Sequence, residues 1–135
     1  MANALYDKGR EGFLDGSIDW DTDNIKVVLV DTADYIVNLG THQFFSDVPA
    51  IGRVATSVNL TGKTVTAGVA DAGDVTFTAV TGDQSEALVI YQDTGVETTS
   101  RLIAYIDTGT GLPVLPNGGD IVVQWDAGAN RIFKL

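Results

Sequence analysis

Asp-Thr-Gly occurs twice in this chain, at Asp93-Thr94-Gly95 and at Asp107-Thr108-Gly109. Aspartic proteases use this triplet to bring two carboxylates together over one shared proton. Here the copies lie 14 residues apart, too close to supply one to each lobe of a two-lobed enzyme. No apolar segment follows either copy to lock such a loop in place. Each stands at the end of an apolar run, where Asp and Gly are ordinary turn formers, and both read as turns.

Asp19, Asp21 and Asp23 offer carboxylates at alternate positions, as the first ligands of a calcium loop do. The helix-loop-helix version of that loop wants Gly at its sixth position and Glu at its twelfth, and these are Asn24 and Val30. A looser loop site would draw on Asp15, Asp21 and Asp23. The three carboxylates therefore stand as a calcium candidate beside the simpler reading, solvated turn residues, and no cofactor is expected. His42 is the single histidine. Ser46 and Asp47 are near it in sequence, but no Gly-x-Ser-x-Gly elbow exposes a nucleophile, so His42 reads as a satisfied loop residue. The glycines of 109–113 and 117–119 lack the following helix or lysine of a phosphate cradle, and serve as turns. Trp20, Phe77, Tyr91, Tyr105, Trp125 and Phe133 fall in expected strands, where aromatic side chains are usually core.

The elements that would position these residues are mostly strands. Residues 87–91, 102–106, 121–125 and 131–135 are short β-branched, aromatic or aliphatic runs bounded by turn formers. The first two are apolar on both alternating faces, so a second sheet or another chain must cover each side. Upstream, 18–20, 25–30 and 35–39 read as strands, and 41–49 as a loop or one helical turn. Segments 53–60 and 63–67 read as a hairpin over Thr61-Gly62. Residues 74–80 alternate Val75, Phe77 and Ala79 against Thr76 and Thr78, the pattern of a half-exposed strand. The sum, about eight or nine strands with frequent turns, predicts an all-β antiparallel sandwich or barrel.

One helix is expected, over 3–15, with Asn3 as N-cap, Leu5, Gly9 and Phe13 on one face and Gly16 closing it. With two internal glycines it would not persist alone, so it needs a surface, and Gly9 permits a close backbone approach to one. Residues 1–16 thus read as an arm or helix attached to a single β domain over 17–135. A net charge of −10 disfavours binding to nucleic acid or to anionic membrane. There is no cysteine, hence no disulfide or thiolate metal site, and no apolar run reaches the ~20 residues of a membrane span.

Several stretches resemble small structural proteins of tailed bacteriophages. They are 3–15 (Asn-Ala-Leu-Tyr-Asp-Lys-Gly-Arg-Glu-Gly-Phe-Leu-Asp), 18–21 (Ile-Asp-Trp-Asp) and 25–34, then 101–113, 116–121 and 125–135. The resemblance is weaker between 41 and 83. It implies a non-enzymatic virion component, made in the bacterial host cytoplasm and carrying no catalytic residues. A compact β domain, an arm and apolar strand faces suit a capsid decoration (cement) subunit, which gains avidity from repeated contacts across a symmetric lattice. The expected partners are the major capsid protein and copies of the chain itself in a homo-oligomeric assembly, with no nucleic acid and no membrane. Leu5, Tyr6 and Phe13 are the expected contact side chains of the arm, and deleting 1–16 is expected to leave a folded domain that no longer joins particles. The alternatives are a tail tube or tip subunit and a receptor- or carbohydrate-binding β domain using Asp19, Asp21 and Asp23.

Overall fold

The doubly apolar runs form the centre of the molecule. The computed structural model describes residues 4–108, 111–129 and 131–135. In chain order the elements are β1 (Ala4–Leu5), α1 (Asp7–Asp15), β2 (Ile25–Val30), β3 (Arg53–Thr56), β4 (Thr64–Thr66), β5 (Val69–Asp71), β6 (Val75–Phe77), β7 (Ala87–Gln92), β8 (Leu102–Ile106), β9 (Ile121–Val123) and β10 (Phe133–Lys134). These ten strands make three antiparallel sheets, ordered β1-β8-β7-β2-β3, β10-β5-β4 and β6-β9. The largest sheet ends at β1 and β3, so the closed barrel among the expected architectures does not form.

Every residue of β7 and β8 is buried. Register sorts their side chains into two cores. Leu29 faces Leu88, and Ile90 faces Ala104, on one side of the sheet; Val28, Val89 and Tyr105 share the other. A one-residue irregularity between Ile90 and Tyr91 restores pairing with Leu102. The first side is covered by the two smaller sheets, through Ala70, Val75, Phe77, Val123 and Ile132, and by Ile18 and Trp20. Over the opposite side lie Tyr6, Tyr35, Phe45 and Val48, flanked by Val37 and Leu39. That cover is irregular chain. Residues 35–39, expected as a strand, form none; Tyr35, Val37 and Leu39 lie over the sheet instead of pairing with it. Residues 18–20 are also outside any strand. The expected helical turn within 41–49 is a 3-10 helix at Phe45–Asp47.

The hairpin expected over Thr61-Gly62 is replaced by two pairings. β3 joins β2, with Leu29 opposite Ala55, while β4 turns through Ala67-Gly68 into β5, with Thr66 opposite Val69. Both turn residues have positive φ, 52° and 78°, the requirement of a two-residue type I′ turn. In β6 the expected alternation holds for Val75, Thr76 and Phe77, then ends at Ala79, whose φ of 49° swings it outward and brings Val80 into the core.

The helix starts later than the sequence suggests. Asn3 lies outside the described residues; Tyr6 is the N-cap, with extended dihedrals and no capping side chain, and Gly16 closes the helix at φ 82°. Ala4–Leu5 instead pair with β8, with Leu5 opposite Ala104. The surface that the glycine face needs is the chain's own β8. A Cβ on Gly9 would sit 2.8 Å from the carbonyl oxygen of Leu102, and one on Gly12 would sit 2.6 Å from Cδ1 of Ile18. The expected arm is thus an edge of the main sheet and a helix packed on it.

Candidate functional site

The carboxylates singled out in the sequence do not gather. The Ser17 side chain, and its backbone N–H at 2.8 Å, hold the Asp15 carboxyl below the usual range. Asp19 and Asp21 are exposed and hydrogen-bonded to each other; the bond keeps Asp19 low and pushes Asp21 up, and the Asp19 charge pushes Asp21 further. Asp23 makes bonds of its own. Its Oδ2 accepts from the Asp19 backbone N–H at 2.8 Å and from Nε2 of Gln92 at 2.6 Å, while Lys63 donates to its carbonyl oxygen. The three calcium candidates therefore do not present one ligand atom each within an ion's reach. Among the described residues, the one set of three carboxylates within an ion's reach is Asp31, Asp34 and Asp83. Asp31 Oδ1 accepts from the Ala33 N–H at 2.9 Å, and the neighbouring Glu86 accepts from both the backbone and hydroxyl of Thr32. Asp83 is remote in sequence from the other two, so spacing could not have found this group.

Asp93 is the turn residue expected of the first Asp-Thr-Gly. Its carboxylate meets Lys26 Nζ at 2.7 Å and accepts from the Gly95 N–H, and the Lys26 contact holds it below the usual carboxylate range. An ion-paired carboxylate is not half of a proton-sharing dyad. The glycine of the second triplet, Gly109, lies outside the described residues.

His42 belongs to a line of ring groups. Tyr6 Oη lies 2.7 Å from Tyr35 Oη, which lies 2.9 Å from His42 Nδ1. The Asn38 backbone N–H also points at Nδ1, at 3.3 Å, so that nitrogen accepts and Tyr35 donates to it. Burial pushes the Tyr6 hydroxyl far up and Tyr35 to about 12. These phenols stay protonated and serve as structure. Asp47, the other neighbour of His42 in sequence, accepts from the backbone N–H groups of Gln43 and Phe44 and so caps the 3-10 helix. Ser46 is exposed.

No protein-family model and no curated protein matches the chain. What the site can do must therefore be read from its own chemistry, and that chemistry is adhesive. Arg53, which belongs to no motif in the sequence, stacks its guanidinium 3.9 Å over Phe45, and Phe45 stacks 4.1 Å from Tyr91. The same guanidinium donates to the carbonyl oxygens of Val48 and Phe45 and pairs with Glu97. It fastens the irregular cover to the sheet.

Of the expected contact residues, Leu5 and Tyr6 are buried in the chain's own core, so a partner could reach them only if β1 left β8. Phe13 is half-buried. It packs 5.7 Å from Phe133, which meets Trp20 edge-on at 5.2 Å. The three aromatic rings, with Val65, Ala70 and Leu135, line an open groove of ≈ 380 Å³ whose rim carries Asp19 and Asp21. The sequence marked Trp20 and Phe133 as core and Phe13 as a contact; what it could not show was their meeting across 120 positions of chain.

Proposed function

We propose that this chain is a non-enzymatic structural subunit of a tailed-bacteriophage virion, a decoration protein that binds the assembled capsid, and that its layered sheets are a β-sandwich. One observation carries the reading: the core is closed by the chain's own elements, yet large aliphatic side chains remain outside it in groups. Gly52 abuts Asp34 and Tyr35, and from either side of this contact emerge Ile36 and Ile51, 83% and 73% exposed. Val65 and Leu135 line the groove at 58% and 59%. Grouped apolar surface on a finished domain suits contacts with other subunits, and several modest contacts repeated on a lattice reach high avidity. The resemblance of 3–15, 18–21, 25–34, 101–113, 116–121 and 125–135 to phage structural proteins supports the same reading.

The test is location. Virions of the phage that encodes the chain are labelled with a gold-conjugated antibody against it and imaged. Label distributed over the head shell is the expected result. Label confined to the tail replaces decoration with the tail-subunit reading, and particles without label overturn the virion assignment.

A further inference from the structure

We propose that the groove lined by Phe13, Trp20 and Phe133 docks an extended segment of a basic partner protein, with an apolar side chain in the groove and a lysine or arginine against Asp19 and Asp21. Two features of the groove select this occupant. Its lining is predominantly hydrophobic, with Val65 and Leu135 left open to solvent at its edge. Trp20 is fixed there by its own Nε1–H bond to the Asp71 carbonyl at 3.1 Å, so the floor is formed before anything binds. At the rim stand Asp19 and Asp21, both exposed and two positions apart. Lys63, whose charge acts on Asp21, is engaged with the Asp23 carbonyl oxygen. Two adjacent carboxylates raise each other's free energy, and an incoming cation relieves this. A second copy of the chain is a poor occupant, because each carries a net charge of −10. A basic segment gains both from the local pair and from the field of the whole molecule.

The proposal goes beyond the virion assignment and does not depend on it. It is tested on the full chain by NMR titration with a capped probe peptide, Ala-Lys-Leu-Arg-Leu-Ala. Two controls are used: Ala-Glu-Leu-Glu-Leu-Ala, which keeps the apolar residues, and Ala-Lys-Ser-Arg-Ser-Ala, which keeps the charge. The expected result is saturable movement of the Phe13, Trp20 and Phe133 resonances with the first peptide alone, weakened by added salt. Leu135→Ser and Val65→Ser remove exposed apolar side chains without adding charge and should fold as the parent does, which unchanged spectra away from the groove would establish. Each is expected to weaken the basic apolar peptide about tenfold. Unmoved groove resonances, equal binding of the acidic control, or undiminished binding by both variants would overturn the proposal. The peptide titration can fail while the head label succeeds, and the reverse, so the two readings are separable.

Discussion

Gly9 and Gly12 share a helix face but face different neighbours, and the difference decides what a methyl group does at each. Gly9 lies over the β8 backbone, where the nearest atoms are the Leu102 and Ile103 carbonyl oxygens. Gly12 meets Cδ1 and Cγ1 of the Ile18 side chain, atoms that can shift by more than backbone can. Alanine gains about 1 kcal/mol of helix propensity at either position, while overpacking against fixed backbone costs about 1–3 kcal/mol. Gly9→Ala is therefore expected to destabilise by up to about 2 kcal/mol net and Gly12→Ala to stay within about 1 kcal/mol of the parent. Urea midpoints at constant m would measure both; a G9A midpoint at or above that of G12A would contradict the backbone contact. The tyrosines allow a second prediction at this scale. All four have hydroxyls pushed above the usual value by burial, Tyr35 and Tyr91 to about 12. A raised pKa in the folded state gives a contribution fully present below the unfolded value near 10 and lost as pH rises through the folded values. Absorbance at 295 nm is thus expected to show Tyr6, Tyr35 and Tyr91 still protonated at pH 10.5, then a rise coinciding with loss of far-UV signal. Ionisation of two or more tyrosines with the fold intact would refute this.

At the level of elements, apolar runs with no polar face were legible in the sequence because burial on both sides leaves one reading. Residues 87–91 and 102–106 form β7 and β8 with all side chains buried. Segments with mixed faces were not. The alternation of Tyr35, Val37 and Leu39 fits a strand and fits equally a loop that lays every second side chain on a sheet; what distinguishes them is tertiary, the Tyr35 hydroxyl bonded to Tyr6 and the Leu39 carbonyl accepting from the Asp7 N–H. The turn at Ala67-Gly68 was hidden for a related reason. Thr61-Gly62 has the better turn composition, whereas Ala67 takes a φ of 52° that its Cβ disfavours. Asn tolerates this conformation and heads the preferred type I′ pair, so Ala67→Asn is expected to stabilise by about 0.5–1 kcal/mol. Thermal unfolding would show it as a higher Tm; a lower one would mean that the turn is of another type. The groove was the least legible feature, since its walls come from α1, the 16–21 loop, β4 and β10.

For the molecule as a whole, the sheet order makes the first residues part of the frame. β1 closes one edge beside β8, about a hundred positions away, and Tyr6 and Leu5 each enter one of the two cores. Burial of two such side chains contributes about 3–6 kcal/mol, against total stabilities of about 5–15 kcal/mol. Deleting residues 1–16 is accordingly expected to leave a chain that fails to fold or melts far below the parent, and not the intact domain that an appended arm would leave behind. Circular dichroism of the purified truncation decides it: a cooperative transition within a few degrees of the parent's would restore the arm.

The unlike covers of the main sheet have a consequence in time. One side is closed by strands with ladders of their own, the other by residues 31–52, held by Arg53, by the Tyr6–Tyr35–His42 line and by a few backbone bonds. Free energies of local opening follow the density of such ties. Residues 31–52 should therefore lift as a unit well before the ladders separate, and amide exchange along them should outpace that of β2 and β7. Each opening briefly bares Val28, Val30 and Val89, a strip of flat aliphatic strand on a sheet otherwise sealed. At high concentration, self-association of this protein would begin from that strip, and its rate would follow the lifetime of the Arg53 clasp.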